Sequence, residues 1–324
     1  MNSSSLQFSQ PLTQVAREYM NEAFIGDEVI KPCPVDNESF AYEEFSASRQ
    51  FVPVNDVADQ NGNVPETNST TSPTTGLTVS RALKEPVNAL VEHAAQQIGY
   101  SAKLRAMKNV LNTQDLNNEV RVKDFLETDG NFVASRIITA GAGISPQKWD
   151  HANGLPLKDI TAMKDLLLVP PGSEVVGVCS RTVWSAISLN PSVVDAVKYT
   201  MIGGLAEVAP IAAKLGLADI KIGGAWVSTG ELNADEAALA AAMSRLWGTG
   251  FYLIVRPIGQ AIDRSQPSFA YNFRLKLNGN MKRVYEYAAP GRGGDGSTYI
   301  QVAKNDVLKS VGKLYGSKIK LTLT

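Results

Sequence analysis

Residues 59–76 read Asp-Gln-Asn-Gly-Asn-Val-Pro-Glu-Thr-Asn-Ser-Thr-Thr-Ser-Pro-Thr-Thr-Gly, with Val64 the one aliphatic side chain among them. No core can be built from such a tract. Before it, residues 41–57 carry aromatic and β-branched side chains in partial alternation (Tyr42, Phe45, Phe51, Val52, Val54), and 77–83 form a second strand-like stretch. Strand, polar tip, strand makes a long hairpin. It holds too few apolar residues to bury both faces, so it needs a surface to lie on.

The rest of the chain can supply a core. Of 324 residues, 44% are hydrophobic and 19% charged, which excludes a wholly disordered chain and allows about two domains. The formal net charge is −1, without the basic excess of a dedicated nucleic-acid-binding module. That balance hides a segregation. Residues 1–60 carry 3 basic against 10 acidic side chains, and residues 274–324 carry 10 basic against 3 acidic. Ends of opposite sign can attract within one chain or between neighbours. The two cysteines, Cys33 and Cys179, make neither a disulfide framework nor a thiolate zinc site and suit a reducing compartment. The first residues lack the pattern of a signal peptide, and no apolar stretch reaches the length of a membrane span.

Periodicity organises the remainder. Residues 1–40 read as an arm, with a short amphipathic stretch at 15–24 and an extended Lys31-Pro32-Cys33-Pro34. From Pro86, which suits a first helical position, Val87, Leu90, Val91, Ala94, Ala95 and Ile98 recur on one helical face. After a slip at Gly99 the pattern runs on through Leu111, predicting a helix of about 25 residues and nearly 40 Å. Further helices are expected over 157–167, after Ser180, from Asn190-Pro191, and over 205–215 with Gly216 closing it. Strands are expected at 174–178, 219–223, 251–255, 269–277, 282–287 and 298–302. Helices and strands mix without a regular βαβ repeat, so the class is α+β.

Chemistry is thin. Gly291-Arg-Gly293-Gly-Asp-Gly296 matches a dinucleotide pattern literally, but a strand follows it where a phosphate-binding helix would be needed, so it reads as a turn. Ser145-Pro-Gln-Lys148 and Ser310-Val-Gly-Lys313 lack the companion motifs of serine acylases. His93 lies off the apolar stripe, His151 has neither nucleophile nor metal set beside it, and Cys179 reads as a small core side chain. No catalytic residue, cofactor or metal ligand is assigned, and an enzyme is not expected.

Three phrases in the middle of the chain carry a resemblance. They are Trp149-Asp150 with Pro156 and Asp159-Ile160; Val183-Trp184 and Ile187 with Asn190-Pro191 and Asp195 to Thr200; and Ile220 to Ala225 with Leu246-Trp247-Gly248 and Leu253 to Val255. In this order and spacing, over roughly 40–315, the chain resembles the major capsid proteins of tailed double-stranded DNA bacteriophages, the Hong-Kong-97-type fold. The arm and the 59–76 tract are not matched residue by residue. The resemblance implies an N-terminal arm (1–40), an extended E-loop hairpin (41–84), a peripheral domain (85–156 and 257–324) with a spine helix at about 86–112, and an axial domain (157–256). It implies a homo-oligomer of hexameric and pentameric capsomers in an icosahedral head around DNA, made in the host cytoplasm and located in the virion capsid. It also implies scaffold, portal and decoration proteins as partners, non-specific contact with DNA, and no membrane. The hairpin would lie on a neighbouring subunit, with Phe45, Phe51, Lys304, Lys309 and Lys313 as inter-subunit contacts. Reversing the three lysines to glutamate would then impair assembly and leave the subunit folded. An encapsulin-like shell shares the fold and stands as the alternative, ahead of a soluble enzyme.

Overall fold

Two sheets organise the computed structural model, which describes residues 7–8, 24–45, 53, 72–140, 147–198, 207–230, 235–259, 266–288 and 296–323. The first sheet centres on a 14-residue strand, Ser297–Ser310, to which Val79–Asn88, Arg283–Ala288 and Ala270–Leu275 all pair antiparallel. Pro32–Val35 adds itself in parallel to Ala270–Leu275, and Gln7–Phe8 pairs with Arg283–Ala288. The second sheet runs Ile137–Thr139, Gly316–Lys320, Gly250–Pro257, Ser173–Ser180 and Asp219–Gly223 in spatial order. Gly250–Pro257 and Ser173–Ser180 are almost wholly buried, which is why both read as apolar runs. The mixed class is α+β, as expected.

The long helix exists at the expected length but further along the chain. Residues 79–88, Pro86 included, form a strand, and Asn88 then caps a short helix, Ala89–Gln97, by accepting from the Leu90 amide at 2.9 Å. Gly99, at φ +88°, breaks that helix. Ser101 caps the next one, Ala102–Glu127, whose 26 residues span about 39 Å. The expected position, 86–112, was set by apolar spacing, and that spacing misleads twice. Leu90, Val91 and Ile98 keep helical period yet remain exposed. Beyond Leu111 the core stripe continues through Gln114, Asn118 and Glu119, all buried, before Val122 and Leu126. Polar residues on the inner face hid the helix from a reading of hydrophobic period.

Two parts of the chain pack otherwise than the expected division placed them. The chain is not an arm from Ile25 onward, because Ile25, Val29 and Ile30 are buried in the main core and Cys33 and Val35 in a second cluster. Residues 137–139 and 316–320, expected with the peripheral half, are held in the second sheet by backbone pairing to each other and to Gly250–Pro257. A hairpin base forms, with Ser39–Glu44 antiparallel to Ser72–Leu77, but its second strand lies largely within the tract expected as the polar tip, and 79–83, expected in that strand, joins the first sheet. The hairpin's surface, however, is in its own chain. Phe40 and Tyr42 are buried against Phe273, with ring centroids 4.5 and 5.4 Å away. Most of the tip lies outside the described residues.

Candidate assembly site

Several residues of the three phrases meet one another in the fold. Trp149 is fully buried, donates its indole N–H to Asp159 at 2.8 Å and meets Phe251 edge-on. Burial pushes the Asp159 carboxyl above its ordinary value, and the indole N–H holds it down only in part. Asn190 caps the helix Pro191–Val197 through its side-chain oxygen and donates its amide to the Trp149 carbonyl at 2.9 Å. One asparagine thus fixes a helix start and ties it to the tryptophan.

The third phrase closes on the long helix. Trp247 lies against Gly223, and a β-carbon there would fall well inside contact distance of the indole ring. Trp247 donates its indole N–H to Glu119 at 2.8 Å, and the same carboxylate accepts the backbone N–H groups of Ile25 (3.1 Å) and Gly26 (2.6 Å). Glu119 therefore joins the N-terminal segment, the long helix and the second sheet's neighbourhood at one buried point. Burial raises its carboxyl above the ordinary value despite these three donors.

A charged cluster lies between the long helix and the first sheet. Asp306 accepts from Arg81 Nε at 2.7 Å and Arg121 Nη2 at 3.1 Å, and Asp115 accepts from Lys282 at 3.0 Å. Arg274 holds Asp27 through a two-nitrogen contact, one arm of which is 2.9 Å. Burial alone would raise Asp306, but Lys304, Arg121 and Arg274 together bring it below the ordinary value. Asp27 follows the same logic: burial would raise it, but Arg274, with Lys304 and Lys282, lowers it to about 2 from 3.8. With the folded value depressed, the contribution of this pair is complete above 3.8 and lost as pH falls toward 2. Asp27→Asn should therefore lower the urea midpoint at neutral pH, with the gap from the parent protein closing between about pH 4 and 2. A gap that stays constant across that window would refute the pairing. Part of the charge segregation is thus spent inside one subunit, since Asp27 belongs to the acidic end and Arg274 to the basic one.

The structure separates the five expected contact residues. Phe45 and Lys313 come together: the Phe45 amide donates to the Val311 carbonyl at 2.8 Å, and both side chains line a groove of about 280 Å³ with Glu44 and Leu314. Lys309 is half-buried nearby on Ser297–Ser310, opposite Tyr271. Phe51 lies outside the described residues. Lys304 is a correction. Its side chain is 1% exposed, pointing between strand and helix, so it is not the exposed surface charge that was expected. Reversing it would put a new carboxylate beside Asp115 and Asp306, and such a variant would fail by misfolding rather than by loss of assembly. Glu119, Asp306, Arg81 and Arg121 were not anticipated. Each is an ordinary charged residue in sequence, and only the helix register brings them inside.

Among the described residues, the side chains singled out for chemistry stand apart from one another. His151 is exposed and accepts the Asn153 amide at 3.1 Å, His93 is exposed, and burial pushes the Cys179 thiol up. Among the described residues no group of three or more His, Cys, Asp and Glu could hold a metal ion, and no helix is long and apolar enough to cross a membrane.

No protein-family model matches the chain. A phage-related protein from Bordetella bronchiseptica superposes with a TM-score of 0.73 at 19% identity, over 98% of each chain. The capsid of the cyanophage P-SCSP1u superposes at 0.52 with 7% identity, over 94% of this chain and 90% of that one. These likenesses show the fold. In sequence, the major capsid protein of Pseudomonas phage JBD67 is 22% identical over 257 residues, 79% of each chain. In sequence and fold the chain is similar to the phage major capsid proteins. As a capsid protein its role is structural, its working form is a shell of many copies, and its place is the virion capsid. Trp149, Asp159, Asn190, Gly223 and Trp247 are then the internal locks of a capsid subunit.

Proposed function

We propose that this capsid protein assembles as hexameric and pentameric capsomers into an icosahedral head that encloses double-stranded DNA. Sequence likeness across 79% of a phage major capsid protein is the observation that carries this reading. Two structural features support it. The hairpin base is anchored on the first sheet, with Phe40 and Tyr42 packed against Phe273. Leu90, Val91 and, two turns on, Ile98 are also exposed, an apolar surface that a neighbour would cover. Many modest contacts multiply on closure of a shell, so no single one needs to be strong. In this reading the chain is made in the host cytoplasm, meets scaffold, portal and decoration proteins as further partners, and contacts DNA non-specifically and in a salt-dependent way. The body on the first sheet and long helix would be peripheral, and that on the second sheet axial.

Electron microscopy of the recombinant protein tests the proposal directly. Icosahedral shells or capsomers are expected, and a uniform small oligomer at high concentration would overturn it. Double-stranded DNA in heads from an infection, rather than protein cargo, separates this reading from an encapsulin-like compartment. Phe45 and Lys313, with Lys309 nearby, give a second test. Lys309→Glu with Lys313→Glu should cut shell yield several-fold while leaving the thermal midpoint of the subunit unchanged. Undiminished yield would remove this groove from the interface.

A further inference from the structure

One cavity is not used by the assembly reading. It lies between the strand Val79–Asn88 and the long helix, measures about 490 Å³, and is lined by Ser80, Arg81, Leu83, Gln114, Arg121 and Lys304 among others. Lys304 reaches it from the sheet side. Its ammonium is fully enclosed and has no hydrogen-bond partner, and the nearest carboxylate oxygens stand 3.7 Å (Asp306) and 3.9 Å (Asp115) away. Burial and the nearby Arg274 bring Lys304 down to about 8, so it is still mostly charged at neutral pH. Arg81 and Arg121 each give one nitrogen to Asp306 and keep others for a ligand.

The charges around the cavity do not balance. Among the described ion pairs here, Arg81, Arg121, Arg274, Lys282 and Lys304 stand against Asp27, Asp115 and Asp306, five positive charges to three negative. An enclosed cation without a partner is unfavourable, and an anion with several acceptor oxygens removes that cost. Water alone would solvate the ammonium but leave the excess charge. Gln114 adds a second clue, because its side-chain oxygen is also enclosed without a partner while its amide is spent on the Val302 carbonyl at 2.8 Å. A ligand that also brings a hydroxyl, or a water alongside it, satisfies that oxygen.

We propose that this cavity binds an oxyanion, held by the Lys304 ammonium and by the guanidinium nitrogens of Arg81 and Arg121 not engaged by Asp306. The anion would bridge the strand that leads out of the hairpin to the long helix beneath it, so binding would stiffen the hairpin base. Two sources share this chemistry: free phosphate, and a carboxylate side chain of a second copy of this chain, whose residues 1–60 carry an acidic excess. The second source rests on the assembly reading; the site itself does not.

Inorganic phosphate is the probe. The full chain as subunit is titrated with phosphate by calorimetry, and its thermal midpoint is followed in phosphate against chloride at matched ionic strength. Saturable binding and a midpoint raised by several degrees are expected. Lys304→Met should fold at least as stably in chloride and bind phosphate at least tenfold more weakly. Ser80→Glu, at an exposed position on the cavity wall, should fold and lose the response by placing a tethered carboxylate among the cations. Absence of saturable binding to the parent protein, or a response undiminished from the parent's in Lys304→Met and Ser80→Glu, overturns the site. Assembly then tells the sources apart. Shell yield that falls with added phosphate and with Lys304→Met assigns the natural anion to a second copy, whereas yield indifferent to phosphate assigns it to the free ion. Failure of assembly altogether would count against the capsid reading and leave the phosphate titration intact.

Discussion

Gly223→Val is expected to unfold the subunit at 37 °C or leave it insoluble. The strand Asp219–Gly223 ends under the indole of Trp247, and any β-carbon at 223 would occupy the space of that ring. Trp247 cannot step aside cheaply. It is 3% exposed, and its N–H is committed to Glu119. Displacing it would open a cavity of aromatic size and strand the buried carboxylate, a combined cost of about 4 kcal/mol or more on the scale of aromatic truncations. Native domains have only about 5–15 kcal/mol in total, so one such loss removes much of the margin. Chemical denaturation with tryptophan fluorescence would measure it. Gly223→Ala should sit between the two, since its single methyl still meets the ring. A Gly223→Val protein with an unchanged midpoint would show that Trp247 packs elsewhere.

The second large effect concerns Glu119. Alanine there would leave the N–H groups of Ile25, Gly26 and Trp247 enclosed without an acceptor, a loss of roughly 3 kcal/mol or more at about 1 kcal/mol or above for each orphaned donor. Part of the carboxylate's own burial cost would be relieved, which keeps the figure from being larger. Glutamine should be intermediate, because it keeps one acceptor oxygen and turns an NH₂ toward the remaining donors. The pH dependence has a definite sign. The folded carboxyl titrates above its ordinary 4.5, so the native state holds its proton longer than the unfolded chain does. Stability from that proton is complete below the ordinary value and is lost as pH rises through the elevated one. Glu119→Gln should flatten this part of the profile. A profile identical in parent and variant would mean that Glu119 is not the buried acceptor.

Both residues illustrate how much of the site could be read from the chain. Gly223 and Trp247 stood inside phrases whose order and spacing already resembled capsid proteins, although nothing in the letters said that one sits beneath the other. Asn190-Pro191 and Ser180 announced their helix starts because capping is local chemistry, decided within three residues. Glu119 gave no such signal. An acidic residue in a polar run, Asn117-Asn118-Glu119, has the profile of a solvated face, and it is buried only because partners from 93 and 128 residues away converge on it.

Local sequence determined the three central strands of the second sheet at 174–178, 219–223 and 251–255, the caps at Ser180 and Asn190, and the glycine breaks at 99 and 216. Those choices depend on side-chain period and on backbone groups a few residues apart, which any chain carries in its own letters. The tertiary structure alone decided which helical stripe was buried, and it left Leu90 and Ile98 exposed while enclosing Gln114, Asn118 and Glu119. It also set where the opposite charges met. Asp27 and Arg274 neutralise each other within a subunit, while Lys304, read from sequence as a surface charge, sits enclosed between strand and helix. The physical reason is the same in each case: burial is set by what the rest of the chain brings to a position, and a charge can be enclosed wherever distant partners supply the hydrogen bonds and counter-charges that water would otherwise provide.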